Sequence, residues 1–231
     1  LCDMIGLTMA DEALKTSAEL AKEMTSYPKY NGDAVLSSAF VSRNALGSTK
    51  NLIEVYGLRN SQLLTIAPTG SISTMLGVSG GIEPIFANFY ERKTESLHGH
   101  DEYYKVYTPI VKEYMENHNL SDDIELPDYF VTAPIINYKD RINMQGIWQS
   151  HIDASISSTV NVPNDFTVEN VEDLYMSAWE NGLKGVTIFR DGCKRAGILT
   201  TKKDPDKKDE NDKKDGFYNL DSLPRGTVIK A

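Results

Sequence analysis

Cysteine is nearly missing from this sequence: Cys2 and Cys193 stand alone in 231 residues. They are too few and too far apart for a disulfide scaffold or a zinc site. Histidine is scarce as well, with four in the chain. His98 and His100 flank a glycine in a stretch that reads as an exposed connection, and a structural or catalytic metal site needs more ligands than that pair offers. His151 falls on an expected helix and reads as a packed or partly exposed side chain. No apolar run approaches the ~20 residues that cross a bilayer, and no charged-then-apolar leader is present. A soluble, cytoplasmic protein with no membrane partner is expected. Positive charge is in deficit, with a formal net charge of −9. That excludes the broad basic surfaces that drive non-specific binding to DNA or RNA. A single phosphorylated metabolite needs only a local positive potential, so the acidic balance leaves it open. A starting methionine is also lacking, and Leu1 reads as a position inside a longer protein.

What is present suffices for a sizeable core, since 40% of the residues are hydrophobic. A first helix is expected over 9–24, with Leu14, Ala18 and Ala21 at helical spacing and Thr8 with Asp11 as a weak capping box. Pro28 and Gly32 close that unit, and a second helix is expected over 49–56. Residues 102–117 read as a helix with Tyr103, Val106, Tyr107, Ile110, Val111 and Tyr114 on one side, bent or restarted at Pro109. A short strand over 130–133, a helix over 141–156 and an extended run over 159–162 follow. Thr167 is a credible cap for a helix over 168–181, with Val168, Val171, Leu174, Tyr175, Ala178 and Trp179 on its buried face and Gly182 as its left-handed stop. Residues 186–189 read as a buried strand. Strands alternating with helices imply a largely parallel α/β arrangement, and so few strands fit part of a larger barrel.

The stretch 66–89, IAPTGSISTMLGVSGGIEPIFANF, carries the most chemistry. Leu63, Leu64 and Ile66 read as a buried strand, which Pro68 ends because it has no N–H to give to a ladder. Gly70 permits a tight turn, and Ser71, Ser73 and Thr74 crowd hydroxyls and free amides around the start of a helix. Unpaired N–H groups and the positive end of a helix dipole suit an anion. An ordinary strand-to-helix connection whose serines merely cap accounts for the same spacing, so the residues alone leave both readings open.

The run RNSQLLTIAPTGSIS followed by GGIEP resembles the catalytic chain of ribonucleotide reductase, and more narrowly its adenosylcobalamin-dependent class (class II). Ile5 to Leu7, STVNVP at 158–163 and GLKGVTIFRDG at 182–192 agree with that family in order and spacing. The resemblance implies the C-terminal portion of a ten-stranded α/β barrel over 1–199. A charged, disordered linker at 200–216 and the start of a C-terminal accessory segment at 217–231 would follow. Ligands of parallel α/β folds sit beyond the carboxyl ends of strands, where the loop falls.

The family reduces the 2′-hydroxyl of ribonucleotides through a thiyl radical, with a cysteine pair supplying two electrons. Cys2 does not match the Asn-x-Cys-x-Glu pattern of its cysteine loop, so no catalytic residue is carried over to this chain. Pro68, Thr69, Gly70, Ser71 and Ile72 match the family's diphosphate-binding loop, with backbone amides and the Thr69 and Ser71 hydroxyls as the phosphate donors. Glu83 reads as structural, because a carboxylate beside a diphosphate would be repelled unless paired. Cys193 has no partner cysteine near it in sequence and reads as a plain thiol. Class I chains place adjacent tyrosines where Thr187 and Ile188 stand here, and Arg225-Gly226-Thr227 does not match the glycyl-radical pattern of class III. The resemblance thus implies adenosylcobalamin, a ribonucleoside di- or triphosphate, the upstream half of the reductase, a thioredoxin-like reductant, and room for a homodimer. A non-catalytic nucleotide- or phosphate-binding module that kept the fold without the cysteine chemistry is the alternative.

Overall fold

Small residues at helical spacing let the first helix pack closely. Helix α1 spans Cys2–Met24 and buries Gly6, Ala10, Leu14, Ala18 and Ala21 along one side. It begins well before the expected position 9, so Thr8 is not a cap. The Thr8 hydroxyl donates to Met4 O inside the helix, and the Asp11 carboxylate instead accepts from the Leu46 N–H. The computed structural model describes residues 1–94, 102–121 and 125–192. Two short helices that the sequence reading did not foresee follow α1. They are α2 (Gly32–Leu36) and α3 (Ala39–Asn44), each started by a side-chain cap, from Asn31 and Ser38. Helix α4 (Gly47–Tyr56) agrees with expectation apart from its first residues. Leu14, Ala18, Val41, Ile53 and Leu58 form the core that joins these helices.

Helix α5 (Gly70–Leu76) opens directly after the Pro-Thr pair. The helix expected over 102–117 is overturned in its first half. Strands β1 (Phe89–Thr94) and β2 (Glu102–Tyr107) form an antiparallel pair, with Phe89 opposite Tyr107 and Tyr90 opposite Val106. The run EYYKVY is aromatic and β-branched, a composition that suits a pleated surface when a partner strand is near. Helix α6 (Pro109–His118) starts at the proline, whose missing N–H costs nothing at the first helical position. The strand expected over 130–133 is absent. That segment turns, and the Ala133 N–H makes a single backbone bond to Ile85 O.

Helix α7 (Tyr138–Gln149) starts and stops earlier than the expected 141–156. Past its end the buried Gln149 amide donates to Ile152 O and Ala154 O, holding the chain as it leaves the helix. Strand β3 (Thr159–Val162), helix α8 (Val168–Glu180) and strand β4 (Thr187–Arg190) then form a β-α-β unit in which β3 and β4 are parallel, with Val160 opposite Ile188. Thr167 caps α8 through the Asn170 N–H, and Gly182 stops it at φ +70. The expected buried face of α8 is only partly right. Leu174 and Ala178 are buried with Ile142, Val160, Val162 and Phe166, while Val168, Tyr175 and Trp179 are exposed, Trp179 to 73%. Strand β4 is half-buried rather than buried, since among the described residues it pairs only with β3.

The parallel α/β character holds for this unit and for the isolated parallel bridge between Ile66 and Ile156. The β1–β2 pair departs from it. The described strands form two two-stranded sheets, so a closed ten-stranded barrel is not formed by the described residues. His98, His100, Cys193, the linker at 200–216 and the segment at 217–231 lie outside them.

Candidate functional site

The loop at 67–72 begins where an extended segment ends. Leu63, Leu64 and Ile66 are half-buried and do not form a full strand, which corrects the expected buried one. Their backbone is tied down in another way. Both carboxylate oxygens of Asp153 accept from this segment, from the N–H groups of Leu63 and Leu64 at 2.7 Å each. Backbone bonds from Ala154 N to Leu64 O and from Ser157 N to Ile66 O continue the attachment in parallel sense. Asp153 thus replaces the missing ladder at one end of the segment and leaves the other end to run into the loop.

Thr69 precedes α5 in the left-handed region, at φ 50 and ψ 27, and makes no side-chain cap to the helix. Its Oγ1 accepts from the Gly81 N–H at 2.9 Å, so the hydroxyl proton remains available to an acceptor outside the loop. The N–H groups of Gly70, Ser71 and Ile72 are the first three of the helix and have no partner within it. Ser73 is the first to close a turn, its N–H reaching Thr69 O at 2.9 Å. A Cβ at Gly70 would meet nothing within 4 Å, so the approach to these amides is open.

Not every hydroxyl of the motif is free. Ser73 Oγ and Thr74 Oγ1 both donate to Gly70 O, at 3.0 and 2.9 Å, and so are removed from the expected cluster of anion donors. Ser71 is exposed, and its hydroxyl makes no hydrogen bond with the described residues. Thr69, Gly70, Ser71 and Ile72 are thus brought together at one open edge, with Pro68 behind them.

The GGIEP turn supports the loop. Glu83 Oε1 accepts from the Thr159 N–H at 2.6 Å, in keeping with its structural reading. Arg141, only 6% exposed, donates to Thr159 O and Ser158 Oγ. Burial pushes its guanidinium down from the usual range, and the negative charge of Glu83 opposes that shift. Sequence reasoning did not single out Arg141, Asp153 or Gly81. For Gly81 the adjacent glycines were a signal of close backbone approach, whereas a lone Arg or Asp on a polar stretch gave none. His151, expected on a helix, lies just past α7 and is buried between Asn44 Oδ1 (2.6 Å) and Asp3 Oδ1 (2.9 Å). Among the described residues no three His, Cys, Asp or Glu side chains are grouped so as to hold a metal ion, and no helix is long and apolar enough to cross a membrane.

The family model described as "Ribonucleotide reductase, barrel domain" matches residues 1–189. A vitamin B12-dependent ribonucleoside-diphosphate reductase of Mycobacterium tuberculosis (strain CDC 1551 / Oshkosh) is 31% identical over 62% of this chain and 23% of its own length. A protein of the same name from Thermoplasma acidophilum is 30% identical over 82% of this chain and 24% of its own. A vitamin B12-dependent ribonucleotide reductase of Rhodopirellula baltica is 28% identical over 90% of this chain, again 24% of its own. The chain therefore spans about a quarter of the length of these relatives. Their names agree with the class that the loop and its flanking motifs resemble. With the barrel-domain model covering most of its length, the chain belongs to the ribonucleotide reductase family.

Proposed function

We propose that this chain is the part of a ribonucleotide reductase that binds the substrate's phosphates, through Pro68, Thr69, Gly70, Ser71 and Ile72. The observation that carries the reading is the set of unspent donors at one open edge: three first-turn amides and the Thr69 and Ser71 hydroxyls. Diphosphate oxygens accept hydrogen bonds only, so a cluster of donors with no acceptor among their free groups is complementary to them. Pro68 contributes a fixed backbone angle, and Ile72 contributes its N–H alone. The substrate is a ribonucleoside di- or triphosphate, whose ribose loses its 2′-hydroxyl in the reductase reaction.

Adenosylcobalamin enters this proposal through the class that the loop and its flanking motifs resemble, and the relatives' names carry a vitamin B12 dependence. The described residues show no feature that would hold the corrin, so none is given that role. When bound, the cofactor would supply a cobalt–carbon bond weak enough to act as a radical source. A thioredoxin-like reductant would renew the electrons.

In the intact reductase, Ser71→Asp places a negative charge against the phosphates and should weaken ribonucleoside diphosphate binding by about tenfold or more. Affinity for the unphosphorylated nucleoside should hardly change. Titration calorimetry with both ligands decides the matter, and equal diphosphate affinity for wild type and variant would reduce the loop to a structural turn. Deoxynucleotide formation should also require added adenosylcobalamin and no metal-bearing radical subunit. Turnover without any cobalamin, restored by a di-iron or di-manganese partner, would overturn the cofactor assignment and leave the phosphate site standing.

A further inference from the structure

The open donors of the loop depend on a backbone shape that the loop does not enforce by itself. Thr69 is a β-branched residue at positive φ, a conformation that persists only where the surroundings impose it. The surroundings here are the turn at 80–83. Gly81 N–H holds Thr69 Oγ1, and both glycines press on the carbonyls behind the loop. A Cβ on Gly80 would lie 2.9 Å from Pro68 O, and one on Gly81 would lie 2.8 Å from Ala67 O. The turn closes on itself through Glu83 N–H to Gly80 O at 3.1 Å.

What anchors the turn is the start of β3. The Thr159 N–H donates to Glu83 Oε1 at 2.6 Å, and Thr159 O accepts from Arg141 Nη1 at 2.9 Å. A second guanidinium nitrogen, Nη2, reaches Ser158 Oγ at 3.2 Å. One residue of β3 thus has both backbone groups taken by side chains of opposite charge. Hydrogen bonds from a charged group are stronger than neutral ones and leave less play in the geometry. The buried guanidinium is costly without a negative charge nearby, and Glu83 acts on it as one.

We propose that Glu83 and Arg141 are positioning residues for phosphate binding, fixing the 80–83 turn to β3 so that Gly81 holds Thr69 and the first-turn amides in their donor-outward arrangement. This rests on the phosphate reading of the loop. Neither side chain is expected to touch the substrate.

The test uses the intact reductase. Glu83→Ala should keep its circular dichroism spectrum and lose roughly tenfold in affinity for a ribonucleoside diphosphate, the scale of one charge-assisted hydrogen bond. Affinity for the unphosphorylated nucleoside should stay within about twofold. A merely structural role would lower both affinities together or neither, and either result overturns the proposal. Should Glu83→Ala fail to fold, Arg141→Lys takes its place, because it keeps the charge and loses the planar fork. The same selective loss supports the proposal, and parallel or absent loss overturns it. Ser71→Asp, run beside them, separates the two claims. If it spares diphosphate binding, the phosphate reading falls. If it abolishes binding while the Glu83 and Arg141 variants do not change selectivity, the positioning role alone falls.

Discussion

One hydroxyl oxygen at Thr69 accepts from Gly81 within the protein and leaves its proton available to an acceptor outside the loop. Ser73 and Thr74 show the contrasting case. Their hydroxyls turn back onto Gly70 O, as serine and threonine inside a helix commonly do toward the carbonyl one turn earlier. Ser73→Ala should therefore leave diphosphate affinity unchanged while costing about 1 kcal/mol of stability, which paired calorimetric and thermal-melt measurements would show. A loss of affinity would mean that the buried hydroxyl also reaches the ligand. The sequence made the donor-rich character of this stretch legible but grouped all the hydroxyls together. Once the helix start is placed at Gly70, the offsets of three and four residues sort the spent hydroxyls from the open one. Glu83 was legible for a different reason, since a carboxylate close to the proposed phosphate site needs an internal partner, and its Oε1 accepts from the Thr159 N–H.

At the scale of elements, α8 was the most legible, while the side-chain cap at Asn137 did not mark the start of α7. Thr167 and Gly182 fix α8 as expected, whereas α2 and α3 are too short to show a period and were passed over. The β1–β2 pair was missed because Tyr103, Val106 and Tyr107 fall at helical spacing in the sequence, and only the partner strand decides against that pattern. A polar tie joins α7 to α8: Asp173 Oδ2 accepts from the Tyr138 hydroxyl at 2.7 Å and lies 3.0 Å from Lys139 Nζ. The Tyr138 bond first, and the Lys139 bond and charge with it, hold the Asp173 carboxyl below its ordinary range. A group whose folded value is depressed adds stability above its unfolded value and loses it as the pH falls through the folded one. The tie should therefore loosen only in acid. Asp173→Asn should lose the tie's small contribution near neutrality and flatten the acid limb of a stability-versus-pH curve measured by urea unfolding, so that variant and wild type converge in acid. The contribution is small and salt-sensitive, since these side chains are exposed. An acid limb identical in the variant would show that the tie contributes nothing.

Across the whole molecule, the parallel β-α-β unit and the position of the loop beyond an extended segment were legible, and the assembly of the site was not. Its supports come from far along the chain. Asp153 binds the N–H groups of Leu63 and Leu64 across 90 and 89 residues, and Glu83 meets Thr159 across 76. No local pattern announces such pairings, because each side chain is an ordinary polar residue until the fold brings its partner near. The same separation bears on the order in which the chain is made. During synthesis, residues 63–72 leave the ribosome well before the segment that secures them, and non-local contacts form only after both ends exist. The loop should stay unshaped in the nascent chain until about residue 160 has emerged, the position reached by the Glu83–Thr159 bond. Ribosome-bound chains of increasing length, probed by brief proteolysis, should lose cleavage within 63–72 in one step once residue 160 has cleared the exit tunnel. Protection already present in chains that end before Asp153 would show that the loop acquires its shape from the helices that precede it. The loop at 67–72 would then take its shape only after the later residues that secure it, although it precedes them in the sequence.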